Sequence, residues 1–157
     1  CSSDLGDCDD TNQNVSPAAK ELCDASNVDE NCNGLADDAD PSPSGRSTFY
    51  RDGDGDGYGG PSTVAACDAP SGTVTTSTDC NDNNINIHPG ATEVCGGADE
   101  DCNGLVDDAD PKVTGTRAWY ADGDGDGWGG SLATTACLAP GGYVADTGDC
   151  NDSDPAF

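Results

Sequence analysis

Two copies of an alternating Asp-Gly stretch organise this chain: Asp52-Gly53-Asp54-Gly55-Asp56-Gly57-Tyr58-Gly59 and Asp122-Gly123-Asp124-Gly125-Asp126-Gly127-Trp128-Gly129. The alternation lets a tight turn direct three carboxylates to one point, because glycine supplies backbone angles that other residues avoid. Three carboxylates this close repel one another strongly unless a cation lies between them. A flexible acidic linker is the alternative interpretation. Two copies, each preceded by an aromatic pair, favour the cation site.

The spacing of the acidic residues indicates calcium. Carboxylates at positions 1, 3 and 5 and glycine at position 6 match the first half of an EF-hand loop, in which a carbonyl binds at position 7. Position 12 holds Thr63 or Ala133, so remote residues must complete a shell of six to eight oxygens. We expect the two Asp-Cys-Asn-Asp segments to do so. The predicted ligands are Asp52, Asp54, Asp56, Tyr58, Asp79 and Asp82, and Asp122, Asp124, Asp126, Trp128, Asp149 and Asp152.

Composition indicates that apolar burial alone does not fold this chain. It has 157 residues, a formal charge of −26 and only 33% apolar residues. A chain of this kind needs disulfides or metal ions to replace the missing core. The charge argues against a nucleic-acid partner, because phosphate binding needs clustered Lys and Arg. No apolar run could span a membrane, and no signal peptide is seen, so a secreted protein would be present here as a mature chain or a fragment.

Ten cysteines predict a disulfide framework in an oxidising compartment, and hence a secreted or cell-surface protein. No CxxC motif is present, which argues against zinc and iron–sulfur sites. Cys1-Ser2-Ser3 also fits the start of a lipid-anchored protein, and lipidation of Cys1 remains the alternative to a disulfide there.

Self-comparison reveals a repeat. Asp7-Cys8-Asp9-Asp10 recurs at 79–82 and 149–152, and the Asn-Cys-Asn-Gly-Leu of 31–35 recurs as Asp-Cys-Asn-Gly-Leu at 101–105. We predict a lead of residues 1–6, a first repeat of 7–78, a second of 79–148 and the start of a third at 149–157. Cysteine spacing within the repeats predicts five sequential disulfides: Cys1–Cys8, Cys23–Cys32, Cys67–Cys80, Cys95–Cys102 and Cys137–Cys150.

A second loop type carries a longer calcium pattern, with oxygen ligands at 1, 3, 5, 9 and 12 and glycine at 6. A position-7 leucine would bind through its carbonyl while its side chain packs inward. Asp38 or Asp108 is the alternative at position 12. The predicted ligands are Asp29, Asn31, Asn33, Leu35, Asp37 and Asp40, and Asp99, Asp101, Asn103, Leu105, Asp107 and Asp110. Asp7 and Asp10 are further candidate ligands. Their segment could hold an ion of its own through Asp10, Asn12 and Asn14, or in its second copy through Asp82, Asn84 and Asn86, and the asparagines are equally well explained as turn formers.

The expected fold is a small, mostly irregular, β-poor and elongated repeat structure. Residues 47–50 and 116–120 are predicted strands that lead into the Asp-Gly loops, and 72–76 and 142–145 are their predicted partners. Residues 16–23 are a predicted helix of one or two turns, because Ser16 can cap it and Pro17 suits its first position. Residues 88–95 are its weaker copy.

These motifs resemble the bacterial "putative metal-binding motif" repeats, which occur in tandem in large surface proteins, among them a copper-binding surface protein of a methanotroph. The quoted residues are Asp-Cys-Asp-Asp, Pro-x-Ala-x-Glu-x-Cys, Asn-Cys-Asn-Gly-Leu-x-Asp-Asp and Tyr-x-Asp-Gly-Asp-Gly-Asp-Gly-Tyr-Gly. The Asp-Gly loops also resemble thrombospondin type 3 repeats. The resemblance implies an extracellular module stabilised by Ca²⁺, with about two or three ions per repeat from the loop matches. Copper binding is a weaker expectation, because His88 is the only histidine and methionine is absent.

Function is predicted to be structural: an extracellular stalk or adhesin segment, or the subunit of a head-to-tail filament. In the filament hypothesis, the third repeat that begins at 149–157 is completed by the next subunit. A calcium-dependent module that binds glycans or proteins through Tyr58, Trp128 and residues 73–78 is the alternative. An enzyme is not expected, because no nucleophile–base set is present.

Overall fold

The structure, a computed structural model, describes residues 6–156. It divides into two compact units, Cys1–Asn83 and Asn84–Phe157. The division after Asn83 leaves the Asp79–Asp82 segment with the first unit, whose Asp-Gly loop it contacts. The repeat boundaries at 7, 79 and 149 remain predictions from the sequence.

Each unit contains one three-stranded antiparallel sheet. In the first unit β1 is Ser47–Arg51, β2 is Thr63–Ala66 and β3 is Thr73–Val74, in the order β2-β1-β3. In the second unit β4 is Arg117–Ala121, β5 is Ala133–Ala136 and β6 is Tyr143–Val144, in the order β5-β4-β6. The predicted pairing of 47–50 with 72–76, and of 116–120 with 142–145, is confirmed. Strands β2 and β5, which form the longer pairings with the central strands, were not predicted from the sequence.

The central strands present one aromatic residue each to the interior. Phe49 is buried beside its β2 neighbours. Trp119 takes the same place in the second sheet, where its indole N–H donates to the carbonyl of Ala136 at 3.0 Å and the Arg117 guanidinium lies 4.4 Å from the ring. Such a cation–π contact contributes about 0.5–1 kcal/mol at an exposed site. Both sheets hold the ends of an Asp-Gly loop at a fixed separation.

The interior is unusual in its chemistry. Among the described residues, the buried apolar side chains are Val15, Phe49, Ala66, Ile87 and Ala136. The buried carboxylates outnumber them: Glu21, Glu30, Asp37, Asp40, Asp79, Glu93, Asp101 and Asp110. Buried charges need partners to be tolerated. The prediction that a large apolar core is missing is therefore confirmed. Acidic side chains are buried in its place.

The predicted helices at 16–23 and 88–95 are wrong. Ser16 and His88 each begin a single turn, in which the N–H of Ala19 or Ala91 bonds back to them. The chain then extends, because Glu21 and Cys23 exchange backbone hydrogen bonds with Ser44 at 2.8 Å. In this extended segment the Glu21 side chain is buried. The helical segments in the described chain are the 3₁₀ turns Asp37–Ala39 and Asp107–Ala109.

The predicted disulfide pairs are wrong as well. Cysteines of the described chain pair across each unit, as Cys8–Cys32, Cys23–Cys67 and Cys95–Cys137. These bonds exclude Cys1–Cys8, Cys23–Cys32, Cys67–Cys80, Cys95–Cys102 and Cys137–Cys150. The prediction assumed the shortest loops. The sheets instead bring the ends of β2 and β5 beside the 3₁₀ turns, where Asp38 accepts the N–H of Cys67 and Asp108 that of Cys137.

The remaining cysteines are partly accounted for. Cys80 and Cys102 are disulfide-bonded. Cys150 is exposed and has no disulfide partner among residues 6–156. Cys1 lies outside the described residues. In the described chain, no helix is long and apolar enough to cross a bilayer.

Candidate metal centres

The first Asp-Gly loop gathers its carboxylates as its sequence predicts. Asp52, Asp54 and Asp56 each offer an oxygen, and these oxygens lie within 4.8 Å of one another. Asp52 accepts the N–H groups of Gly55 at 2.8 Å and Gly57 at 3.1 Å. Both glycines have φ near 90°, at 87° and 94°, a region that L-residues rarely adopt. The chain therefore winds around its own acidic side chains.

The Asp79–Asp82 segment closes this loop from outside. The N–H of Asp79 donates to the carbonyl of Gly59 at 3.1 Å, and the N–H of Gly53 donates to Asp82 Oδ1 at 2.7 Å. A Cβ on Gly53 or Gly60 would lie 2.6 Å from Asp82, so only glycine permits this approach. The structure brings the predicted segment to the loop. Hydrogen bonds hold it there, in place of the predicted disulfide to Cys67.

Three carboxylate oxygens at this site have no hydrogen-bond partner among the described residues, although they are buried: Asp54 Oδ2, Asp56 Oδ2 and Asp79 Oδ2. Asp79 is only 8% exposed. Burial raises the pKa of Asp79 above its ordinary value, and the charges of Asp56, Asp54 and Asp82 raise it further, against the N–H that Asn81 donates. An unpaired buried carboxylate is costly. A divalent cation bound by these oxygens would remove that cost.

The second unit repeats the arrangement. Asp122, Asp124 and Asp126 converge within 4.8 Å, and the N–H of Gly123 donates to Asp152 Oδ1 at 2.8 Å. Asp124 Oδ2 and Asp149 Oδ2 are buried and without a hydrogen-bond partner among the described residues. Burial raises the pKa of Asp124, and the neighbouring carboxylates add to the rise. The segment at 149–152 thus lies against the Asp-Gly loop of its own chain.

At the predicted position 7 of each Asp-Gly loop, the backbone N–H forms a hydrogen bond within the loop. The N–H of Tyr58 donates to Asp56 Oδ1, and that of Trp128 donates to Asp126 Oδ1, both at 2.8 Å. These bonds fix the turn that would direct the two carbonyls toward a bound ion. The Trp128 side chain is 54% exposed and borders an open cavity of about 460 Å³ with Asp126, Gly148 and Asp149.

These pKa shifts predict how acid affects the metal-free protein. Asp79 and Asp124 have raised pKa values, so their contribution to stability is lost as the pH rises through those values. The pKa of Asp40 is lowered by the N–H of Ser42 and the amides of Asn31 and Asn33, and that of Asp110 chiefly by Asn103. Their contribution is lost only as the pH falls through the lowered values.

We therefore expect the stability of the metal-free protein to rise as the pH falls from neutral, and to decline again in stronger acid. Urea unfolding in excess chelator, repeated from neutral to strongly acidic pH, measures the free energy of unfolding. The Asp79→Asn variant is the control and should show a smaller rise. A steady decline from neutral pH would contradict the prediction.

The second loop type is also gathered, through hydrogen bonds within the loop. Asp29 accepts the N–H groups of Asn33 at 3.1 Å and Gly34 at 2.8 Å, and Asp99 makes the equivalent bonds. The amides of Asn31 and Asn33 both donate to Asp40 Oδ2, at 3.1 and 2.7 Å. In the second unit, Asp101 stands where Asn31 does in the first, and Asn103 donates to Asp110 Oδ2.

Several predicted ligands of these loops lie elsewhere. The Asp37 carboxylate faces the Cys23–Cys67 disulfide and accepts the N–H of Asp24, and Asp107 accepts those of Gly96 and Gly97. Leu35 and Leu105 are each 42% exposed, so the expectation that they pack inward is wrong. Asp38 and Asp108 hold the β-strand ends through the cysteine N–H groups, which leaves them poor substitutes at position 12.

Three buried glutamates were not predicted from the sequence, Glu30 and the equivalent pair Glu21 and Glu93. Glu21 is 3% exposed and accepts the N–H of Asp37 at 3.0 Å, and Glu93 is 2% exposed and accepts that of Glu100 at 2.9 Å. The carboxylate of Glu93 lies within 4.8 Å of those of Asp99 and Asp101. Their recurrence in Glu-x-Cys was visible in the sequence. A buried role was not, because a lone Glu before an apolar residue is typical of a solvent-facing position.

The segment at 7–14 gives weaker support for a site. Asp7 Oδ1 accepts the N–H of Asp9, as Asp79 and Asp149 accept those of Asn81 and Asn151. Asn12 and Asn84 cap turns through the N–H groups two residues on, which favours the turn interpretation of the asparagines.

Comparison with known proteins identifies the motif. A family described as "Putative metal-binding motif", whose name refers to copper binding, matches residues 7–38, 79–113 and 149–157. These segments contain the whole loop at 99–110, residues 29–38 of the loop at 29–40, and the segments at 79 and 149 that close the Asp-Gly loops. No curated protein and no solved structure matches the chain significantly.

Proposed function

Because three segments of this chain carry a family's metal-binding motif, we propose that it is an extracellular calcium-binding structural protein, built as a stalk or adhesin segment or a filament subunit. In this proposal Ca²⁺ joins each Asp-Gly loop to the segment that closes it. The described disulfides support an extracellular location, because such bonds persist in oxidising compartments. No catalytic role is proposed.

The observation that carries the proposal is the set of unpaired buried oxygens on Asp54, Asp56 and Asp79. Two unit charges about 5 Å apart repel by about 3 kcal/mol at an effective dielectric constant near 20. Several such pairs occur at one site, and no cationic side chain lies among its described ligands. A bound divalent ion converts this repulsion into attraction. The same set of acids would otherwise hold the loop open.

Ligand chemistry favours calcium over the copper in the family's name. The clustered donors at both Asp-Gly loops are carboxylate oxygens, which suit Ca²⁺, whereas copper prefers imidazole, thiolate or thioether ligands. The chain contains one His and no Met. His88 Nδ1 lies 3.2 Å from the carbonyl oxygen of Pro89. Magnesium is disfavoured because it keeps several of its waters and demands a smaller octahedral cage.

Removal of the closing carboxylates tests the proposal. We expect Asp79→Asn and Asp149→Asn each to weaken calcium binding at one Asp-Gly site by about tenfold, because calcium affinity follows the charge of the ligand set. Isothermal titration with Ca²⁺ measures the affinity, and native mass spectrometry counts the ions. Cu²⁺ in a parallel titration separates the two metals.

Matched controls are available in each unit. Asp68 and Asp146 are exposed, so Asp68→Asn and Asp146→Asn remove the same charge from the surface. The Asp146 carbonyl accepts the N–H of Gly129 at 2.9 Å, and the side-chain change keeps this backbone bond. Both control variants should leave the calcium affinity nearly unchanged. Equal effects of control and site variants, or tight Cu²⁺ binding without Ca²⁺ binding, would count against the proposal.

A second candidate function is calcium-dependent glycan binding at Trp128. Its exposed indole lies beside the cavity that also contains Asp126 and Asp149. An aromatic face next to carboxylates suits a sugar ring and its hydroxyls. A glycan array with wild type and Trp128→Ala, with and without Ca²⁺, would distinguish this candidate from a purely structural role.

Self-association belongs to the same proposal. Leu132 and Leu138 are 68% and 73% exposed, and we expect a partner subunit to cover them. Light scattering with Ca²⁺ present should then show assemblies that Leu138→Ser reduces. A monomer at every concentration would reject the filament form of the proposal.

A further inference from the structure

The second unit contains a buried acidic cluster apart from its Asp-Gly loop. The carboxylates of Glu93, Asp99 and Asp101 each offer an oxygen, and these oxygens lie within 4.8 Å of one another. Glu93 is 2% exposed and Asp101 is 9% exposed. Glu93 comes from outside the 99–110 loop, so the cluster joins two segments of the unit. A calcium loop read from sequence alone would not include it.

Hydrogen bonds satisfy most of this cluster but leave one oxygen without a partner. Glu93 accepts the N–H groups of Glu100 and Asp107, and Asp99 accepts those of Asn103 and Gly104. Asp101 Oδ1 is buried and has no hydrogen-bond partner among the described residues. The other oxygen, Oδ2, has the Lys112 ammonium at 3.9 Å, on a side chain that is 79% exposed. Negative charge therefore exceeds its compensation at Asp101.

The first unit shows how the same fold avoids this excess. Asn31 occupies the position of Asp101, and its amide donates to Asp40 Oδ2 at 3.1 Å. One substitution thus removes a negative charge and adds a donor. In the described first unit, no oxygen of Asp29, Asn31 or Asp40 is buried without a partner. Ser42 replaces Lys112, so this unit does without the external cation as well.

We propose that Glu93, Asp99 and Asp101 bind a Ca²⁺ ion in the second unit, with Glu93 as the ligand from outside the loop, and that the first-unit loop binds Ca²⁺ more weakly because it has Asn31. This inference rests on the proposed function for its choice of metal. Hard carboxylate donors from two segments suit calcium, whose affinity rises with the charge of its ligands. Lys112 competes with the ion for Asp101.

The test exchanges the two residues. Asp101→Asn should weaken one calcium site by about tenfold, and Asn31→Asp should strengthen the first-unit site by about as much. Lys112→Ser should strengthen the second-unit site. Calcium titration, with ions counted by native mass spectrometry, is done in the Asp79→Asn/Asp149→Asn background, where the Asp-Gly sites are weakened. A gain in calcium affinity in the Asn31→Asp variant cannot result from misfolding, because misfolding would weaken the site.

The outcomes separate this inference from the proposed function. If Asp101→Asn and Asn31→Asp both leave calcium affinity unchanged while Asp79→Asn lowers it, the inference is wrong and the Asp-Gly sites stand. If Asp101→Asn lowers affinity and Asp79→Asn does not, the inference stands and the Asp-Gly assignment fails. A chain that binds no Ca²⁺ overturns both.

Discussion

Removal of calcium with excess EGTA is expected to lower the melting temperature of each unit by about 10–20 °C. An ion present at about 100 times its dissociation constant stabilises the folded state by about 2.7 kcal/mol. For a domain of 60–100 residues, each kcal/mol shifts the midpoint by about 4–8 °C. The effect should be this large because the interior of each unit contains more carboxylates than apolar side chains. Scanning calorimetry in Ca²⁺ and in EGTA measures it.

Two controls make the result specific. Readdition of Ca²⁺ should restore the original transition, whereas Mg²⁺ at equal concentration should restore little of it. The Asp79→Asn/Asp149→Asn variant should show a smaller difference between Ca²⁺ and EGTA, because its sites are already impaired. Identical melting curves with and without chelator would show that the folded state does not depend on a divalent ion.

Removal of the Cys23–Cys67 disulfide should cost the first unit about 4 kcal/mol. The bond spans 44 residues, and the chain-entropy estimate for a loop of that length gives this value. Typical domains have only about 5–15 kcal/mol in total. The double variant Cys23→Ser/Cys67→Ser, which leaves no unpaired thiol, should therefore unfold at a much lower urea concentration.

The second unit offers the matched control. Cys95–Cys137 spans 42 residues at the equivalent place, so Cys95→Ser/Cys137→Ser should affect the second unit by a similar amount. Each double variant should leave the other unit's transition nearly in place. A peptide map that recovers Cys23 joined to Cys32 would contradict the pairing. So would a loss in the free energy of unfolding below about 1 kcal/mol, which is far less than the chain-entropy estimate.

Local patterns account for the parts of the site that the sequence predicted. An Asp-Gly alternation winds around its own carboxylates because each contact joins residues two to five positions apart, such as Asp52 with Gly55 and Gly57. The central strands follow from their β-branched and aromatic residues. The closing segments at 79 and 149 could be predicted because the loop lacks ligands that something must supply.

Features that depend on contacts between distant residues could not be predicted from local sequence patterns. Glu21 resembles part of a short helix in sequence, and in the structure it pairs with Ser44 and its side chain is buried. Leu35 resembles an inward residue of a calcium loop, and the structure leaves it exposed. For Glu21, the local preference for a helix is worth a few tenths of a kcal/mol per residue. A few backbone hydrogen bonds formed elsewhere in the unit outweigh it.

Sequence by itself determined that this chain is acidic, repeated, disulfide-bonded and organised around loops that converge carboxylates. Those properties depend on composition and on contacts between near neighbours, which the order of residues specifies directly. Tertiary structure alone decided which cysteines pair, which glutamates are buried, and which of two similar loops has an unpaired oxygen. These depend on where the sheet places distant segments, and there one residue, Asp101 in place of Asn31, changes the charge that a site must balance.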